Sequence, residues 1–154
     1  VVFWVDPADN THGLVCAFSD YGTKINWGCD GTDLPSVPNV ADNGGNPTGA
    51  GAEIGDGVTN TNGILSDCSA APAALAARSL GADWFLPSIN ELNEMYIHKT
   101  TLEAVDGFAP FSSVYWSSTE FDSNDAWLQV FGDGSQLEYH KHYTESSVRA
   151  IRAF

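Results

Sequence analysis

The sequence predicts an α+β domain, because strand patterns lie at both ends of the chain and helix patterns lie between them. A β-prone run opens the chain at residues 1–5, and alternation over 126–131 followed by Asp133-Gly134 indicates a hairpin near the other end. Between them, Ser88 begins a segment with helical spacing of its apolar residues. We therefore expect two helices packed on a mainly antiparallel sheet, connected by long loops.

Length and charge limit the function classes. The chain has 154 residues, of which 43% are hydrophobic, so we expect one domain over residues 1–154. Twenty acidic residues against six basic ones give a net charge of -14, which disfavours nucleic acid as a partner. No apolar run approaches the roughly 20 residues that span a bilayer, so membrane insertion is not expected. Sugars, peptides, cations and basic proteins remain as ligands.

The N-terminal half combines a hairpin with a long irregular segment. Residues 1–5 and 14–18 are β-prone and flank a turn-rich stretch, which predicts a hairpin with a long loop. Residues 19–60 are rich in Gly, Asp, Asn, Pro and Thr, and are expected to be irregular and held by a disulfide or an ion. A first helix is predicted from about residue 61 to residue 80, with Pro72 disturbing its early turns.

The second predicted helix has a clear start. Ser88 has the character of an N-cap, and Glu91 follows at the three-residue spacing of a capping box. The helix presents one apolar stripe to the core, formed by Ile89, Leu92, Met95 and Tyr96. Residues 101–112 are predicted to form a loop that leads into the terminal strands.

Alternation in the C-terminal hairpin gives its first strand two distinct faces. One face holds Trp127, Gln129 and Phe131, and the other holds Ala126, Leu128 and Val130. Both faces are apolar, so one can be core and the other a presented surface. The return segment 135–143 mixes hydrogen-bonding and aromatic groups without a clean apolar face, which favours a display role. Residues 148–154 are β-prone and are expected to join a sheet.

Five motifs follow one another along the chain: DWFLPS at 83–88, ELNEMY at 91–96, YWSSTE at 115–120, AWLQVF at 126–131 and VRAIRAF at 148–154. Their order resembles the C-terminal domain family of bacterial collagen-like adhesins over nearly the whole chain. The resemblance implies a C-type-lectin-like fold in which the N- and C-terminal strands pair. It also implies noncovalent recognition of a glycan or surface protein, no enzymatic activity, and an extracellular, cell-surface or virion-displayed location.

The cysteines form an odd set, so at most one intramolecular disulfide can form among Cys16, Cys29 and Cys68. The resemblance implies a disulfide between Cys29 and Cys68, which would stabilise the fold by about 3 to 4 kcal/mol on the chain-entropy model. Cys16 lies in an apolar strand and is expected to be a small core residue.

Some proteins of this fold are variable proteins of diversity-generating retroelements, in which surface positions near the C-terminus are rewritten at adenines. The resemblance assigns a fixed framework to residues 115–118, Trp127, Gln129, Phe131, Gly134, Lys141 and residues 148–154. Between them lie the candidate ligand-binding residues Phe121, Asp122, Ser123, Asp125, Leu128, Val130, Asp133, Ser135, Leu137, Tyr139, His140, His142 and Tyr143. Glu138 and Glu145 fit this hypothesis poorly, because changes at the adenines of an asparagine codon do not reach glutamate.

Three further chemistries are open alternatives. Glu138, His140 and His142 share one strand face and could ligate a metal, although a polar recognition surface produces the same spacing by chance. The long loop carries four carboxylates that could bind calcium: Asp30, Asp33, Asp42 and Asp56. The alternative is that these carboxylates are only solvated. No cofactor is otherwise expected. A glycan-processing enzyme would need two carboxylates across a cleft, or a base such as His140 beside Ser117 or Ser118.

Aromatic and basic residues divide between core and surface. Trp116 and Trp127 lie in framework motifs and are expected in the core, whereas Tyr139 and Tyr143 are better suited to ligand contact. Arg149 and Arg152 are expected to pair with carboxylates in or beside the sheet. Ligand contact is accordingly predicted for the surface made by residues 120–146.

Overall fold

The computed structural model describes residues 1–154 and confirms the α+β class. The eight strands are β1 (Val2–Val5), β2 (Gly13–Cys16), β3 (Gly22–Ile25), β4 (Val114–Glu120), β5 (Asp125–Val130), β6 (Gln136–His140), β7 (Ser146–Val148) and β8 (Ile151–Ala153). The four helices are α1 (Asp56–Asp67), α2 (Pro72–Arg78), α3 (Ile89–Ile97) and α4 (Lys99–Glu103). None of them is long and apolar enough to cross a membrane.

The strands form two sheets, and the C-terminal segment joins both. The small sheet has the order β1-β2-β8, and the larger sheet has the order β3-β7-β4-β5-β6. All pairs are antiparallel except β4 with β7, which are parallel at Tyr115 and Ser147. The predicted pairing of the first and last strands is wrong in detail, because β8 pairs with β2 and β2 separates it from β1.

Strand β5 lies between two hydrophobic clusters. Trp127 packs in the cluster that contains the α3 stripe, and Leu128 packs in a second cluster around Trp116 and helix α2. The predicted alternation is therefore confirmed, and Trp116 and Trp127 are both fully buried as expected. The face predicted to be presented is covered over most of its length, because Ala126 and Leu128 are buried and only Val130 is half-buried.

The helical region differs from the prediction at one proline. The predicted helix over 61–80 is two helices in the structure. Helix α1 ends at Asp67, and Pro72 is the first residue of α2. Proline has no N–H to donate and restrains the preceding residue to an extended conformation, and Ala71 has φ -58° and ψ 111°. Helix α4 occupies part of the predicted loop 101–112.

Two local predictions are confirmed. Ser88 and Glu91 form the capping box of α3, with the Ser88 side chain accepting the Glu91 N–H and the Glu91 carboxylate accepting the Ser88 N–H. Cys29 and Cys68 form a disulfide across 39 residues with a Cα separation of 6.3 Å, and Cys16 is a buried free thiol. The disulfide fastens the long irregular segment to the end of α1.

Candidate recognition surface

The C-terminal hairpin turns through a longer connection than predicted. Residues 131–135 link β5 to β6, with Gly134 at φ +84° and its N–H donating to the Val130 carbonyl. Phe131 leaves the strand and packs in the core, 4.7 Å from the Tyr115 ring. The predicted two-residue turn at Asp133-Gly134 is therefore part of a five-residue loop, and the return strand covers only Gln136–His140.

Five predicted ligand-binding residues line one open hollow at the outer edge of the larger sheet. We call it the edge hollow; its volume is about 160 Å³ and its lining is Val114, Leu128, Val130, Leu137, Tyr139 and Tyr143. Leu128 is buried and forms the floor, whereas Leu137 and Tyr139 are each 43% exposed. These residues share a face because Leu128 pairs with Leu137 across the β5–β6 ladder.

Aromatic contacts hold the rim of the edge hollow. The rings of Tyr139 and Tyr143 lie 4.6 Å apart, and Tyr143 meets the buried Trp116 edge to face at 6.4 Å. Offset and edge-to-face aromatic pairs are favourable arrangements. The exposed Tyr139 and the half-buried Tyr143 are thus supported by a buried ring beneath them.

A buried ion pair fixes the chain just beyond β6. The Lys141 ammonium donates to the Glu120 carboxylate and to the carbonyls of Thr32 and Ser123, and both charged side chains are fully buried. It also lies 4.9 Å from the centre of the Trp27 ring. Burial raises the pKa of Glu120 from its ordinary 4.5 to about 7, although the Lys141 ammonium acts to lower it.

The two histidines on either side of Lys141 point into solvent. Their rings stack with centroids 5.3 Å apart and planes 7° apart. Nδ1 of His140 lies 2.7 Å from the Asp125 carboxylate, and Nδ1 of His142 lies 3.2 Å from the Asp30 carboxylate. Each ring therefore has a carboxylate partner from another part of the chain.

The remaining candidates do not join the edge hollow. Phe121 packs against the core and meets the Trp127 ring at 6.0 Å, and the Asp122 carboxylate accepts N–H groups within the β4–β5 turn. The Ser123 carbonyl accepts the Lys141 ammonium. Asp133 and Ser135 lie at the opposite end of the hairpin, about 17 Å from His140 for five residues of strand. The thirteen candidates therefore form separate groups.

Two contacts of this region were not predicted. Val114 lines the edge hollow. It lies two residues before Trp116 on β4, and this spacing indicates that the two side chains share a face of the sheet. Asp30 meets His142 across 112 positions of sequence, and no local pattern indicates such a contact.

No group of three or more His, Cys, Asp or Glu side chains in the structure is arranged to hold a metal. The loop carboxylates proposed for calcium instead accept hydrogen bonds separately: Asp33 from Asn39, Asp42 from the Gly45 N–H, and Asp56 from the Gly51 N–H. Asp30 faces His142. These carboxylates stabilise local turns and contacts.

The basic residues near the C-terminus behave differently from each other. Arg149 is buried and its Nε donates to Asp20 at 2.7 Å, which confirms its predicted pairing with a carboxylate. Arg152 lies 5.5 Å from the centre of the Trp84 ring and pairs with no carboxylate, so that prediction is wrong. An arginine side chain packs well on an indole face without an acidic partner.

Comparison with known proteins gives a structural likeness alone. No protein-family model matches the chain, and no curated protein matches it. A fimbrial protein from Bacteroides ovatus is similar in structure, with a TM-score of 0.60 and 16% sequence identity. The similarity covers 99% of this chain and 43% of that protein, so the chain spans less than half of its length. At this identity the likeness concerns the fold.

Proposed function

We propose that this domain recognises a ligand noncovalently through the edge hollow and the residues around it. The observation that supports this proposal is the exposed apolar hollow on a rigid support: Leu137 and Tyr139 are each 43% exposed, directly beside the buried Leu128. Exposed apolar clusters of this kind mark binding sites more often than isolated surface residues do.

The lining favours a ligand that inserts an apolar group. All six side chains of the edge hollow are apolar or aromatic, and none is a carboxylate. A hydrocarbon side chain of a surface protein, or the apolar face of a sugar ring resting on Tyr139, would displace water from this lining. Glycans and surface proteins are therefore both proposed ligand classes, and no catalytic group is assigned.

The finer fold and location belong to the same proposal. We assign the domain to the C-type-lectin-like fold of bacterial adhesins, on the motifs at 83–96 and 115–131 and the association of β8 with the N-terminal hairpin. The Cys29–Cys68 disulfide favours an oxidising compartment, and a fimbrial protein has a similar structure. Both support an extracellular or surface-displayed domain.

The test compares two matched pairs of exposed residues on arrays of glycans and of extracellular proteins. The variant Leu137→Ala/Tyr139→Ala removes the exposed lining of the edge hollow. The control Leu75→Ala/Tyr21→Ala removes residues of the same types and similar exposure, 45% and 40%, that lie outside it. We expect binding to at least one array member that the first variant loses and the control keeps. Equal binding by both variants would contradict the proposal.

A second proposal is that the hairpin is diversified by a retroelement. It is supported by the burial of the two residue sets: of the thirteen candidate positions only Leu128 is buried, whereas framework residues Trp127, Gln129 and Lys141 are fully buried. Such a division lets surface positions change while the scaffold persists. The gene would then lie near a reverse transcriptase and a near-copy of its 3′ end that differs at adenines. Genomic DNA with neither feature would exclude this proposal.

A further inference from the structure

The tripeptide His140-Lys141-His142 displays two imidazoles side by side. Their side chains are 63% and 66% exposed, and the rings are nearly parallel at a centroid distance of 5.3 Å. Lys141 between them is fully buried, so its side chain points into the core while the two histidine side chains point outward. Neither histidine lines the edge hollow.

The backbone under the two histidines is fixed on several sides. The Lys141 N–H donates to the Asn124 carbonyl, and the Lys141 carbonyl accepts the Trp27 N–H, both at distances below 3 Å. The Lys141 ammonium is bonded to Glu120 and to two carbonyls. The imidazoles therefore start from a position that is set by the core.

Each imidazole is oriented by a carboxylate at its Nδ1 atom. An ionised carboxylate only accepts hydrogen bonds, so Asp125 and Asp30 place a proton on Nδ1 of His140 and His142 and leave the lone pair of the neutral ring on Nε2. Asp30 follows the disulfide-bonded Cys29, and Asp125 begins β5. Metal-binding histidines commonly have this carboxylate partner on the nitrogen that does not bind the metal.

We propose that His140 and His142 bind one divalent transition-metal ion through their Nε2 atoms, with Asp125 and Asp30 as outer-sphere partners. Imidazole ligands suit Zn²⁺, Ni²⁺ and Cu²⁺, and the net charge of -14 attracts cations. Two nitrogens on a tetrahedral zinc lie about 3.4 Å apart, so the two exposed rings rotate toward each other on binding. Water completes the coordination, since no third protein ligand is grouped with them.

The test titrates the 154-residue chain, without a histidine tag, with ZnCl₂, NiCl₂ and CuSO₄ by isothermal titration calorimetry. We expect saturable binding of one ion per chain for at least one of these metals. His140→Ala and His142→Ala should each abolish it, and Asp30→Ala should weaken it by about 10- to 100-fold because the outer-sphere acceptor is lost. His140→Gln provides a second substitution at the same position if the alanine variant unfolds.

The chain contains its own control. His12 pairs with Asp9 at 2.6 Å, as His140 does with Asp125, but no second imidazole stacks on it. His12→Ala should leave metal binding unchanged. The proposal is overturned if none of the three metals binds, if His140→Ala and His142→Ala bind as the parent does, or if His12→Ala loses binding equally.

Discussion

Strands β5 and β6 are hydrogen-bonded neighbours with opposite environments. Four of the six residues of β5 are buried and its side chains enter both hydrophobic clusters, whereas four of the five residues of β6 are exposed. The difference follows from position in the sheet, since β5 is flanked by β4 and β6, and β6 is an edge strand. In this domain the sheet centre provides stability, and the edge provides the surface on which we place recognition.

The largest expected effect comes from the buried ion pair that fixes the end of β6. Lys141→Met leaves the Glu120 carboxylate buried without its partner and should lower the free energy of unfolding by about 3–5 kcal/mol in urea denaturation. The double variant Glu120→Gln/Lys141→Met leaves no buried charge and should recover part of this loss. A single variant as stable as the parent would show that the pair does not support the hairpin.

Removing the disulfide should have the next largest effect. Cys29→Ser/Cys68→Ser releases a cross-link across 39 residues and should cost about 3 to 4 kcal/mol in urea denaturation. Cys16→Ser leaves the cross-link intact and serves as a control, because it shows the effect of a cysteine-to-serine change in the core alone. If reduction of the parent protein leaves its urea midpoint unchanged, the disulfide does not stabilise the fold.

A matched pair of leucines compares the two strands directly. Leu128 on β5 and Leu137 on β6 are cross-strand partners, but Leu128 is buried and Leu137 is exposed. Leu128→Ala should cost about 3 kcal/mol because it leaves a cavity, and Leu137→Ala should cost about 1 kcal/mol or less. Equal losses in thermal or urea unfolding would mean that β6 belongs to the core as much as β5 does.

A further expected effect is a dependence of stability on pH. Burial raises the pKa of Glu91 from its ordinary 4.5 to about 7, so the folded state binds a proton more tightly than the unfolded state. Its contribution to stability is therefore complete below pH 4.5 and is lost as the pH rises toward 7, by at most about 1.4 kcal/mol per pH unit.

Urea denaturation of the parent protein and of Glu91→Gln at pH 5 and at pH 7.5 isolates this contribution. The glutamine cannot lose a proton, so the variant should show the shallower fall in stability between the two values. General repulsion among the acidic residues affects both proteins alike. Parallel pH profiles would show that Glu91 does not titrate in this range.

Local sequence signals predicted local structure well. The spacing of Ser88 and Glu91 identified the start of α3, and alternation identified the two faces of β5. Pro72 was recognised as disruptive, but its effect was to begin a separate helix. Sequence alternation could not show how much of each β5 face is covered, because this depends on segments far away in the chain.

The sequence indicated which residues could form the candidate site, but not which of them lie together in the structure. Residues between 121 and 143 were singled out, yet Phe121 faces the core and Asp133 lies at the far end of the hairpin. The contact between His142 and Asp30 joins segments that only the fold brings together. The alternation within β6 indicated which of its residues share a face. Their exposure to solvent depends on the position of β6 at the edge of the sheet, which the sequence does not give.

The inward-facing lysine between two outward histidines has a consequence for engineering. Because Lys141 is bonded through its backbone and its ammonium, the chain there is held by contacts that do not involve the side chains of residues 140 and 142. Libraries that randomise these two sites, together with 137 and 139, should therefore yield mostly folded members from which new affinities can be selected.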